Sequence, residues 1–108
     1  MHKTGKYGLN PRDMQTITGI LRKYAGIKKA VLFGSRAKGA YHSGSDIDIA
    51  IVDGNIDYQT LIKIKNDMED SSLPYNADVV NFSTLSNSAL KEHILRTGKV
   101  LFRQNEKI

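Results

Sequence analysis

Val31-Leu32-Phe33-Gly34-Ser35-Arg36-Ala37-Lys38-Gly39 and, after a polar loop, Ser45-Asp46-Ile47-Asp48-Ile49-Ala50-Ile51-Val52 decide how this chain is read. An apolar run ends abruptly in a Gly-Ser turn. After ten intervening residues, two carboxylates follow at i and i+2 and open a second apolar run. A turn of small residues lets backbone N–H groups come close to phosphate. A carboxylate pair suits Mg²⁺, which takes oxygen ligands together with substrate phosphates. The combination points to metal-assisted chemistry on a nucleoside triphosphate.

Working outward, Ile47, Ile49 and Ile51 alternate with Asp48, Ala50 and Val52, the period of a strand. That period puts Asp46 and Asp48 on one face at the start of the strand and the isoleucines on the other. Upstream, Asn10-Pro11 supplies a helix cap followed by proline at the first helical position. Met14, Ile17, Ile20, Leu21 and Tyr24 continue at helical spacing, which predicts a helix over 11–25 ended by Gly26. A short buried strand is expected over 30–33, a turn of helix over 35–41 and a polar loop over 42–45. Downstream, Asp53-Gly54-Asn55 signals a turn, and Tyr58, Leu61, Ile62, Ile64, Lys65 and Met68 predict an amphipathic helix over 57–70. A third strand is expected over 77–82. Ser86-Asn87-Ser88 opens a last helix, closed at Gly98, and an edge strand over 100–102 follows. Helices and strands in this order make an α/β (α+β) domain, with helices flanking a small mixed sheet. Residues 1–9 are expected to form a flexible arm, and 10–108 one domain.

The balance of residues narrows the class. With 40% hydrophobic and 25% charged residues in 108, the chain has the make-up of a globular domain. It has no cysteine, which excludes disulfides and thiolate metal sites and agrees with a cytoplasmic setting. No apolar run approaches the roughly 18–20 residues that span a bilayer, and the basic stretch over 1–8, with no apolar segment behind it, is not expected to act as a secretory signal. A net charge of +5 favours an anionic partner.

Asp46 and Asp48 on one face repel unless a cation compensates. Read alone, the pair also fits a strand that simply begins at a solvent edge. An aspartyl-phosphate site would put its apolar strand before the first aspartate, where Ser43-Gly44-Ser45 stands instead. An EF-hand loop would need further ligands where Ile49-Ala50-Ile51 supplies none. Gly34 and Gly39 have the spacing of a P-loop, but Ala40-Tyr41 follows in place of Lys-Ser/Thr, which excludes that motif. Arg36 and Lys38 add positive charge beside the turn, Arg36 with a fork suited to phosphate. Asp78 shares a strand face with Val80 and Phe82. It either pairs with a lysine or joins Asp46 and Asp48 on a neighbouring strand, where it would orient or deprotonate an attacking hydroxyl. His42 sits in the loop, and Tyr41 and Tyr75 are candidates to border a base. Tyr24 and Tyr58 are read as packing residues, and His2 and His93 have no metal-ligand spacing to other groups.

Gly34-Ser35, ten intervening residues, Asp46-x-Asp48 and a later strand aspartate, Asp78, resemble the signature of the polymerase-β nucleotidyltransferase superfamily. The flanking Phe33-Gly34-Ser35-Arg36-Ala37-Lys38-Gly39 and Ser45-Asp46-Ile47-Asp48-Ile49-Ala50 are similar to its minimal nucleotidyltransferase (MNT) branch. The resemblance spans residues 10–103. It implies that Asp46, Asp48 and Asp78 are catalytic and hold two Mg²⁺, and that Gly34 and Ser35 bind the triphosphate of ATP. Arg36, Lys38 and Ser45 complete the expected nucleotide-binding set. It further implies transfer of AMP to a hydroxyl of a HEPN toxin, an all-helical RNase. The chain would then be the antitoxin of a type VII-like toxin–antitoxin pair; apart from the resemblance, no membrane partner is expected, and no array of aromatic and basic residues favours a nucleic-acid one. The alternatives are neutralisation of the partner by binding alone, or transfer to an RNA end or to a small molecule in a pocket that a partner completes.

Overall fold

The computed structural model describes residues 6–42 and 44–104. Its elements are α1 (Pro11–Arg22), β1 (Ile27–Phe33), α2 (Ser35–Lys38), β2 (Ile47–Gly54), α3 (Tyr58–Glu69), β3 (Ala77–Asn81), α4 (Ser88–Thr97) and β4 (Lys99–Arg103). Short 3-10 turns cover Lys6–Gly8 and Phe82–Thr84. The expected order of helices and strands is present, with boundaries moved by a few residues. One larger change is at β1, which starts at Ile27 because Ile27 pairs with Gly54 and Lys29 with Asp53, across an irregular step between them.

The strands form one mixed sheet in the order β3-β2-β1-β4. β1 pairs antiparallel with β2 and β4, whereas β2 and β3, joined through α3, run parallel. This connectivity positions the site. The antiparallel pair sets the end of β1 beside the start of β2, and the parallel pair sets the start of β3 beside it as well. The Gly-Ser turn and all three aspartates therefore meet at one end of the sheet.

Strand alternation divides the core between two faces. On one, Leu32, Ile47, Ile49, Ile51 and Val79 pack with Ile17 and Leu21 of α1 and Ile64 and Met68 of α3. On the other, Val31, Phe33 and Ala50 pack with Ile94 of α4, joined by Val52, Val80, Phe82 and Leu90. Fully burying a side chain of this size contributes about 1.5–3 kcal/mol, so both layers are needed to hold a sheet this small. Three helices start on a capping side chain. The Asn10 amide oxygen accepts from the Asp13 N–H at 2.8 Å in a reciprocal capping box, Asp57 accepts from Thr60 at 2.8 Å, and Asn87 accepts from Leu90 at 3.0 Å.

Four expectations need correction. α1 stops at Arg22 rather than reaching 25, because Tyr24 turns away to donate a hydrogen bond to Asp67 on α3. Tyr58 does not pack; it is 74% exposed. Phe82 leaves the third strand and begins the 3-10 turn. The expected arm does not include Gly8 and Leu9, which are buried, Leu9 as part of the core. Residues 1–5 lie outside the described residues. Among the described residues, no helix is long and apolar enough to cross a membrane.

Candidate active site

The site is built where β1 ends. Gly34 takes φ +79° and ψ −155°, a conformation open to glycine and costly for other residues. A Cβ at Gly34 would stand 2.5 Å from Oδ2 of Asp48. The absent side chain thus gives the Asp48 carboxylate its place against the Gly-Ser turn. Ser35 follows as the first residue of α2, where its N–H has no acceptor within the helix.

Asp48 occupies the middle of the three-strand end. In register it lies opposite Phe33 of β1 on one side and Asp78 of β3 on the other. Adjacent strands are about 4.8 Å apart, so the two carboxylates face each other across one ladder step. The Asp48 carboxyl is held above its ordinary acid range, first by desolvation, then by the charge of Asp78 and then by that of Asp46. Asp78 and Asp46 are therefore both within electrostatic reach of Asp48. Asp46 and Asp78 are exposed and Asp48 half-buried, so the cluster opens to solvent. Among the described residues, none of the three makes an ion pair or accepts a hydrogen bond from a side chain.

That donor set fits a hard divalent cation. Among the described residues no three acidic or imidazole groups form a ready-made metal cage. Mg²⁺ does not require one: it binds through one or two carboxylates, keeps waters and takes its remaining ligands from substrate phosphates. Accumulated negative charge without a protein cation to balance it is the feature that such an ion relieves.

The expected phosphate-binding residues divide. Gly34 and Ser35 stand at the carboxylates. Lys38 is exposed, with no ion pair among the described residues. Arg36 is a correction. It is 1% exposed, and its guanidinium points inward, donating to the Ser45 carbonyl from Nε at 3.2 Å and from Nη2 at 2.8 Å, and to the Tyr7 carbonyl from Nη1 at 2.8 Å. Ser45 is another. Its hydroxyl accepts from the His42 N–H at 2.9 Å and closes the 42–45 loop, and its carbonyl is taken by Arg36. Neither presents a group to phosphate in this arrangement, because both are committed to holding the loop ahead of Asp46.

Tyr41 and Tyr75, proposed to border a base, instead flank Arg36, with ring centroids 5.3 and 4.4 Å from the guanidinium carbon. Sequence reasoning did not find Tyr7 and Gly8 as supports of the site; the only sequence signal was a Tyr-Gly pair in a segment otherwise read as an arm. His93 packs edge-on to Phe33 at 6.4 Å and takes no part in a ligand set. A cavity of about 410 Å³ lies beside the same end of the sheet, lined in part by Met68, Leu73, Tyr75 and Ala77.

The family model "Polymerase beta, Nucleotidyltransferase" matches residues 15–107. MJ0604 of Methanocaldococcus jannaschii, which carries the name of a protein adenylyltransferase, is 35% identical over 95 residues, covering 80% of this chain and 90% of that one. MntA of Haemophilus influenzae, named in the same way, is 32% identical over 76 residues, covering 69% of this chain and 65% of its own. Among solved structures, a toxin–antitoxin crystal structure with AMP-PNP superposes with a TM-score of 0.70 at 26% identity, over 85% of this chain and 74% of that one. Motif, sheet topology and relatives converge: the chain belongs to the polymerase-β nucleotidyltransferase family, in its minimal (MNT) branch.

Proposed function

We propose that the chain transfers AMP from ATP to a hydroxyl of a partner protein, a tyrosine of a HEPN-type toxin, and thereby acts as an antitoxin. The observation that carries this is the close approach of Gly34 to Asp48, which leaves a turn of small residues directly against a carboxylate. The names of the two sequence relatives, and a toxin–antitoxin complex holding an ATP analogue, support AMP as the group and a toxin as the acceptor.

In this mechanism the Gly34-Ser35 backbone and hydroxyl hold the polyphosphate, with Lys38 beside it. Asp46 and Asp48 would hold Mg²⁺ against the triphosphate, and Asp78 would complete the set. The ion, when bound, neutralises charge on the leaving pyrophosphate and lowers the pKa of an attacking hydroxyl. Asp78, exposed at the rim, orients the acceptor hydroxyl and takes its proton. The acceptor oxygen forms a bond to the α-phosphorus, the bond from that phosphorus to the α,β-bridging oxygen breaks, and pyrophosphate leaves with the electron pair. Rate enhancement then comes mainly from positioning and charge neutralisation.

The test uses ATP labelled at the α-phosphate, incubated with this chain and the product of the neighbouring gene. Label is expected on the partner with the wild type and none with the Asp46→Asn, Asp48→Asn double variant. Label retained by the double variant contradicts the assignment. Full neutralisation of the partner by an unlabelling variant would establish binding alone as the means of protection.

A further inference from the structure

We infer that Arg36 is a positioning residue for transfer: with Tyr7, Tyr41 and Tyr75 it locks the starts of both carboxylate-bearing strands to the Gly-Ser turn. The inference rests on the transfer reading above and adds a residue class to it.

A buried cation without a carboxylate partner is costly unless other groups compensate. Here three donors meet two backbone carbonyls, and the guanidinium carbon lies over the rings of Tyr41 and Tyr75 at 5.3 and 4.4 Å. Each partner leads to a part of the site. The Ser45 carbonyl belongs to the peptide that begins Asp46. Tyr75 precedes Asn76, whose carbonyl accepts from the Ile47 N–H at 2.8 Å and so joins the start of β3 to the start of β2 between Asp46 and Asp48. Arg36 itself follows Ser35 on α2. One side chain therefore spans the turn, the Asp46-Asp48 segment and the segment leading to Asp78.

The N-terminal segment covers this arrangement. The Tyr7 carbonyl accepts from Arg36, and Gly8, at φ +75°, has no room for a side chain. A Cβ there would lie 2.5 Å from Cε1 of Tyr41 and 2.8 Å from Nη1 of Arg36. Leu9, 0% exposed, anchors the segment in the core. A lysine at position 36 would keep the charge but not the planar fork that reaches two carbonyls beside two aromatic rings.

The experiment compares Arg36→Lys, Arg36→Met, Tyr75→Phe and Tyr75→Leu. A misplacement on the order of 1 Å can cost about 100-fold in rate, so Arg36→Lys and Arg36→Met are expected to lose on that order in kcat. KM for ATP, and the Kd of a non-hydrolysable analogue measured without turnover, are expected to stay near wild type. Tyr75→Phe, which keeps the ring, is expected to retain activity, and Tyr75→Leu to lose part of it. Without nucleotide, the backbone amide signals of Asp46, Asp48 and Asp78 are expected to shift in Arg36→Lys while those of α1 hold still.

A raised Kd with unchanged kcat would make Arg36 a phosphate contact and overturn the inference. Wild-type kcat in a folded Arg36→Lys would reduce its role to stability, with the same consequence. Should Arg36→Met fail to fold, the lysine and Tyr75→Leu variants decide. The amide signals need no transfer reaction. If the wild type labels no partner, the transfer reading fails, and unmoved signals in Arg36→Lys still separately overturn the positioning role.

Discussion

The Asp48 carboxylate lies between Phe33 and Asp78 on neighbouring strands, and desolvation with two nearby acidic charges raises its pKa above the ordinary 3.8. A raised carboxyl favours the protonated form in the fold. The metal-free protein is thus penalised at neutral pH and gains stability as pH falls through the raised pKa towards 3.8. Asp48→Asn should remove the penalty, raising metal-free stability by roughly 0.5–1 kcal/mol, the scale of a cross-strand like-charge pair. It should also abolish transfer. Urea midpoints in EDTA across the acid range check the sign: the wild-type gain on acidification should shrink in Asp78→Asn. Gly34→Ala acts at the same point from the other side. Its left-handed backbone strain costs about 1–3 kcal/mol, and its methyl group would displace the carboxylate. Loss of transfer with a lowered melting temperature is expected. Full activity in that variant would contradict the close approach on which the site is built.

At the scale of elements, α1 is tied to α3 by Tyr24, whose hydroxyl donates to Asp67, while Lys23 pairs with the same carboxylate at 2.9 Å. The hydrogen bond to Asp67, with desolvation and the charge of Asp67, pushes the Tyr24 phenol up to about 12, and it holds Asp67 below the usual carboxylate range. A raised phenol contributes stability that is fully present below pH 10 and lost as pH climbs towards about 12. Tyr24→Phe should cost roughly 1 kcal/mol and flatten that alkaline decline, as melting curves on either side of pH 10 would show. None of this tie was legible in the sequence, because Tyr24 and Asp67 are 43 residues apart and each also fits an ordinary helix position. The strands were different. Alternation from Ile47 to Val52 fixed which face carries Asp48, and the isoleucines lie on the other, as expected. Arg36 was misread for a physical reason. A basic residue beside a turn of small residues is ordinarily exposed, and its burial here rests on the Ser45 and Tyr7 carbonyls and the rings of Tyr41 and Tyr75, which no local sequence pattern brings together.

Across the whole molecule, function follows from connectivity. An antiparallel β1–β2 pair and a parallel β2–β3 pair are what bring one strand's end and two strands' starts together. The carboxylate trio was legible because a two-residue spacing on a strand leaves a single geometry, and the third aspartate lies in register on the adjacent strand. The supports beneath it were not, since they come from side chains whose inward direction no local pattern sets. A crystal grown with Mn²⁺ and a non-hydrolysable ATP analogue tests the arrangement most directly. Anomalous peaks bound by Asp46, Asp48 and Asp78, with the triphosphate lying along Gly34-Ser35 and Arg36 still turned towards Ser45, are the expected result. A triphosphate seated away from the turn, or Asp78 directed away from its two neighbours, would contradict it.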